Sequence, residues 1–306
     1  MTLPKILLIA TTFAALAAGC GGTELVRHDG GAAHALTQRM LAEKFPGAFA
    51  FPAPAKAYPS GHWSNGPTAV TLFATLLPAP LDNYALGGAI TGRVLFDTRP
   101  GTPPLFDRWF AAGGGVQGQI ARHLDDRMEA ARRPDTQALY VIFASWNDYF
   151  RFIAYKLPGT HLEVADTAVL NVRTAFETLQ RAGAKRFLLV NSPSAPVLDK
   201  LEDNVRVDEF KRRFNSGLAA MTAELATAHR DVEIKLFDAY AADRAILADA
   251  AKYGFSTIDT PCQPVFSVPA PPPPCADPDR HYYWDELHQT TRAHQLLGHE
   301  MSKLYR

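Results

Sequence analysis

Three apolar runs limit what this chain can fold into: Ala138–Ala144 (Ala-Leu-Tyr-Val-Ile-Phe-Ala), Phe187–Val190 (Phe-Leu-Leu-Val) and Val232–Phe237 (Val-Glu-Ile-Lys-Leu-Phe). The first two carry no charged residue on either face. A strand buried on both faces reads that way, and such strands belong to parallel sheets. Between the runs, residues 162–182 and 205–229 place apolar side chains at helical spacing. Strand and helix in alternation need crossover helices, so the sheet is parallel and covered on both sides. The expectation is α/β: one domain over residues 21–306, a three-layer sandwich with about five parallel strands.

The remaining elements are read in the same way. Helices are expected at Thr68–Leu77, about 241–253 and about 289–304. A short strand is expected over Asn83–Ala89, running into Gly87-Gly88. A long helical pattern covers about 105–133, with Gly113-Gly114-Gly115 interrupting it. In an open parallel sheet the site lies outside the carboxyl ends of the strands. Gly88, Asn147 and Asn191 all fall at such ends.

The chain has 306 residues, 47% of them hydrophobic, enough for one large core. Basic and acidic residues number 31 each, and no basic block stands out. That argues against a nucleic-acid partner. The N-terminus carries Lys5, an apolar run from Ile6 to Ala18, then Gly19-Cys20. Residues 1–20 read as an export signal, too short for a membrane span. Ala17-Ala18-Gly19-Cys20 is similar to a bacterial lipoprotein signal, which makes a lipid anchor on Cys20 an option. The alternative is that Lys5–Ala10 is the first buried strand of the sheet. Cys262 and Cys275 flank a proline-rich loop and are candidates for a disulfide, with two buried thiols as the alternative. Both the signal and the cysteines point to a secreted or extracytoplasmic protein.

Near the C-terminus stands Tyr283-Trp284-Asp285-Glu286-Leu287-His288. An acid and a histidine three residues apart suit a general base and the carboxylate that fixes its tautomer. On a helix surface the same spacing is only an ion pair. Four other segments accompany it: Trp63-Ser64-Asn65-Gly66-Pro67, Asn83–Ala89, Trp146-Asn147-Asp148, and Tyr253-Gly254-Phe255 with Cys262. Together, in this order, the set resembles the GDSL or SGNH ester-hydrolase family, in its secreted lipase, acylhydrolase and carbohydrate-esterase-like branch. The match runs from about residue 60 to the end of the chain.

The resemblance implies a flavodoxin-like strand order and ester hydrolysis or acyl transfer. The implied substrate is a small, lipid or acylated-carbohydrate ester. Asp285 and His288 resemble the catalytic acid–base pair. Gly88, through its backbone N–H, and Asn147, through its side chain, resemble the oxyanion donors. Losing one such donor costs roughly 3 kcal/mol of barrier. No cofactor or metal is implied, and the chain is expected to be a monomer.

One block of the family pattern is absent. The family opens with a strand followed by Gly-Asp-Ser-Leu, and this chain has no serine before Ser60. Aligning on Asp29-Gly30 puts Leu25 where the serine stands, with Thr23 the nearest hydroxyl. Ser60 and Ser64 belong to the next motif. The nucleophile is therefore unknown from sequence. Three readings follow: a member that kept the cleft and binds without turnover, a misjudged N-terminus, or an unusual residue in the serine's place.

Overall fold

The computed structural model describes residues 57–58, 62–85, 87–95, 100, 113–131, 134–194, 204–265, 268 and 270–306, and the backbone of 6–9. Five strands are present among the described residues: β1 (Ile6–Ile9), β2 (Leu81–Asn83), β3 (Leu139–Phe143), β4 (Arg186–Val190) and β5 (Glu233–Phe237). They form one sheet in the order β2-β1-β3-β4-β5. Every pairing is parallel. This is the expected flavodoxin-like order.

Among the described residues seven α-helices cover the sheet: α1 (Ala69–Leu76), α2 (Val116–Glu129), α3 (Trp146–Ala154), α4 (His161–Arg181), α5 (Asn204–Ala228), α6 (Ala239–Ala248) and α7 (Thr291–Ser302). Strand periodicity sorts the two faces. In β3, Tyr140 and Ile142 pack with α2, α3, α4 and α5, alongside Phe187 and Leu189 of β4. Leu139 and Val141 point the other way, with Leu188 and Val190, onto α1, α6 and α7. Successive strand residues face opposite layers, so a strand between two helical layers needs apolar residues at every position.

β1 lies between β2 and β3, in register with both. Its residues come from the run that also reads as an export signal. A cleaved leader would take the strand with it, so the two roles exclude each other for these residues. Cys20, Thr23, Leu25 and Ser60 lie outside the described residues.

Two boundaries near the site depart from expectation. β2 ends at Asn83, because the Asn83 side chain accepts the Ala85 N–H at 3.0 Å and turns the chain out of the sheet. Residues 84–85 and 87–89 are therefore a loop rather than a strand. The segment after β3 enters helix α3 at once, so Asn147 and Asp148 sit in a first helical turn. α2 begins at Val116, directly after the expected glycine interruption, and the first part of that pattern, residues 101–112, lies outside the described residues. The glycines before it serve a close approach. A Cβ on Gly115 would stand 2.3 Å from the Gly92 carbonyl oxygen. The Gly115 N–H instead donates to the Arg93 carbonyl at 2.9 Å.

Cys262 and Cys275 are joined in a disulfide. It packs with Ala57, Tyr58, Trp63 and Trp284 in a small cluster apart from the two main cores.

Candidate active site

The loop between the 3-10 turn Pro278–Arg280 and α7 carries the acid–base pair. Tyr282 and Tyr283 anchor it in the α1/α6/α7 core. The loop folds back on itself through Trp284 N–H to the His288 carbonyl, at 2.7 Å. Asp285 is fully buried and His288 nearly so. His288 Nδ1 lies 2.7 Å from Asp285 Oδ2 and 2.8 Å from Oδ1. Oδ1 also accepts the N–H groups of Leu287 and His288, both at 2.8 Å. Oδ2 accepts the Tyr58 hydroxyl at 2.5 Å. A carboxylate ringed by donors is an acceptor, so Nδ1 carries the proton and Nε2 is the basic nitrogen. Trp63 stacks on the imidazole at 5.0 Å with 25° between planes.

The preceding Ser64-Asn65-Gly66 turn is tied to the same loop. The Ser64 hydroxyl donates to the Gln289 carbonyl at 2.9 Å. Asn65 Oδ1 accepts the Thr291 N–H, at 2.8 Å, in the first turn of α7. Both residues therefore hold the site's frame.

At the β3 exit, Asn147 is fully buried, and its Nδ2 donates to the Ala89 carbonyl at 2.9 Å. Its Oδ1 has no partner among the described residues. Asp148 accepts the Thr91 N–H at 2.9 Å and hydroxyl at 2.6 Å. Burial raises its carboxyl to about 6. The pair of side chains thus clamps the loop that contains Gly88. Gly88 has φ +78°, a left-handed conformation that suits glycine. Asn191 serves differently: it donates to Asp238 at 2.9 Å and accepts the Tyr240 N–H at 3.1 Å, joining β4 to the start of α6.

A cavity of about 50 Å³ lies at the carboxyl edge of the sheet, lined by His288, Gly87, Trp63, His62, Asn83, Phe143, His294 and Leu297 among others. His288 is therefore at its wall, and Gly87 brings the Gly88 loop to it. Gly88 and Asn147 themselves are not among its lining residues. Burial, with the neighbouring His288 and His62, pushes His294 down to about 3.

The model of the GDSL-like lipase/acylhydrolase family matches residues 27–301. The chain belongs to this family. A GDSL esterase/lipase of Arabidopsis thaliana is 25% identical over 278 residues, 78% of this chain and 76% of that protein. The thermolabile hemolysin of Vibrio parahaemolyticus is 23% identical over 256 residues, 79% of this chain and 55% of that protein. The acetyl xylan esterase AlAXEase superimposes with a TM-score of 0.43 at 12% identity, covering 82% of this chain and 94% of the other.

Two features of this GDSL chain were not legible in its sequence. Tyr58 meets Asp285 across 227 positions of chain, and it stands in an alanine- and proline-rich stretch with no periodic signal. The second is buried Asp243 of α6, which takes the Tyr282 hydroxyl and the Ser194 N–H. It ties the β4 exit to the loop of the acid–base pair. No spacing rule links a mid-helix aspartate to either.

Proposed function

We propose that this GDSL-family chain is an ester hydrolase or acyltransferase. His288 acts as general base and Asp285 orients it. The Gly88 N–H and the Asn147 amide stabilise the oxyanion, and the substrate is a lipid or acylated-carbohydrate ester. The observation that carries this reading is the Asp285–His288 pair, its carboxylate held by three further donors, at the wall of a cavity at the sheet's carboxyl edge. Nε2 of such a histidine takes a proton from a nucleophile, and later returns it to the leaving alcohol. The disulfide supports an extracytoplasmic location, whereas a lipid anchor on Cys20 would require cleavage that removes β1 and is set aside.

The nucleophile is the open element. In the family pattern it follows the first strand. β1 ends at Ile9, and in sequence Ala10, Thr11 and Thr12 come next. That shifts the search from Leu25 towards Thr11 and Thr12, all three outside the described residues. The experiment is hydrolysis of p-nitrophenyl acetate by the wild type and by His288→Ala, with mass spectrometry of a phosphonate adduct. Turnover that depends on His288, and a labelled hydroxyl, support the enzyme.

A second reading is a protein that binds its ester in the same cleft without turnover. It is favoured by the lack of any serine before Ser60, and by Ser64 being bonded to Gln289. Ester binding with no turnover and no adduct would select it over the first.

A further inference from the structure

We propose that Tyr58 is a positioning residue of the acid–base pair: its hydroxyl holds the Asp285 carboxylate, and through it sets how strongly His288 attracts a proton. The proposal rests on His288 being the base. Tyr58 is 2% exposed and Asp285 0%, so no water competes for the bond between them. The two oxygens of Asp285 are served differently. Oδ1 has two backbone donors from its own loop. Among the described residues Oδ2 has only Tyr58 beside the imidazole. Taking away the hydroxyl leaves the negative charge of Oδ2 to His288 alone. Burial and the charge of Asp285 hold the phenol far above its ordinary range, so Tyr58 stays a donor at any working pH.

The ring is fixed for this task. Trp63 meets it edge-on at 4.9 Å while stacking on His288. The indole N–H of Trp284, next to Asp285, donates to the Ala57 carbonyl at 2.9 Å. The disulfide Cys262–Cys275 packs against the same cluster. Tyr58 and Trp63 thus touch both members of the pair from one stretch of chain. The other titratable groups nearby are Glu286, whose carboxylate accepts the Val265 N–H and whose charge bears on Tyr58, and His62 and His294 at the cavity.

The test is nuclear magnetic resonance of the His288 imidazole in the full chain. Tyr58→Phe keeps the ring and its Trp63 contact and removes only the O–H. The expected result is a titration midpoint about half a pH unit higher, with the Nδ1–H resonance moved downfield, because Asp285 now leans on the imidazole alone. Replacement of Tyr58 by 3-fluorotyrosine, a stronger donor, shifts both the opposite way. An unmoved midpoint in both proteins overturns the proposal, and so does loss of the resonance in Tyr58→Phe without the opposite shift in the fluorinated protein. A residue that only packs lowers the melting temperature and does not give paired shifts of opposite sign. The readout needs no turnover. Opposite shifts in a protein that hydrolyses no ester would leave the role of Tyr58 standing and remove the proposed activity.

Discussion

The acid–base corner and the oxyanion corner of this site are built in different ways. Asp285 is caged: Tyr58, Leu287 N–H, His288 N–H and the imidazole take up its two oxygens. Asn147 is as deeply buried, but its Oδ1 has no partner among the described residues, and one of its two N–H bonds holds the Ala89 carbonyl. A buried polar atom without a partner costs about 1–3 kcal/mol. A fold keeps that cost where another function needs the group. The first corner is satisfied within the described residues; the second leaves an acceptor, Oδ1, that only a donor can complete, while the proposed oxyanion would use the remaining amide N–H.

The harshest way to break the comparison is at the caged corner. Asp285→Asn keeps the shape and removes the charge, and it favours the wrong imidazole tautomer. If the chain is an esterase, hydrolysis of p-nitrophenyl acetate should fall by about 10⁴-fold. A fall below tenfold would mean that the cage is a structural ion pair.

The oxyanion corner should respond less. Asn147→Ala removes one donor, and the expected loss is about 10²–10³-fold in kcat. It also frees the Ala89 carbonyl, so the Gly88 loop should exchange its amide hydrogens faster. An unchanged kcat with faster exchange would reduce Asn147 to a clamp for that loop.

Below these comes the frame that both corners share. The disulfide closes a loop with a sequence separation of 13 residues. Cys262→Ser with Cys275→Ser should cost roughly 3 kcal/mol in denaturant unfolding. Because the bridge packs on Tyr58, Trp63 and Trp284, the loss should be felt at Asp285 before it is felt at Asn147. Amide exchange at Leu287 and His288 reports the first, and at Thr91 the second. Equal loosening at both would show that the cluster does not serve the acid–base corner in particular.

What was legible in the sequence follows the same division. Fully apolar runs marked β3 and β4, because strands between two helical layers have no solvent face. The Asp-x-x-His spacing marked the acid–base pair, because a short loop returning on itself is a local event. Helix α3 was not legible, since Asn147-Asp148 is common turn chemistry, and what overrides it is Asp148 bonding to Thr91, 57 positions away. Lys5–Ala10 stayed ambiguous because four apolar residues carry no period to separate a leader from a strand. Here the structure adds a constraint, since β1 pairs on both sides. The intact mass of the purified protein should therefore include Ile6–Ile9. A mature N-terminus after Ile9 would mean that the sheet holds together without this strand.

The smallest expected effect concerns protons buried near each corner. Asp148, bonded to the loop that holds Gly88, and Asp243, bonded to the loop of His288, are both raised to about 6, chiefly by burial. The unfolded chain releases those protons near pH 4, so the folded state binds more protons between about pH 4 and 6. Their contribution to stability is fullest below that window and fades as pH rises through it. His123, buried between Tyr84 and Tyr140, is pushed down to about 3 by burial and then by Arg127. His294 is pushed down to about 3 as well, by burial and then by His288 and His62. Unfolded histidine gains its proton near pH 6.5, so these two destabilise the fold as pH falls through about 6.5 to 3. Two carboxyls and two histidines thus act against each other around pH 5. The wild-type unfolding free energy should be nearly flat between pH 4.5 and 5.5, read by urea midpoints. Asp243→Asn removes one side of the balance, so the variant should lose about 1 kcal/mol per pH unit on acidification. His123→Phe removes the other side, and it should gain by a similar amount. Parallel curves for the two variants would show that these groups do not keep their buried protonation states in the folded chain.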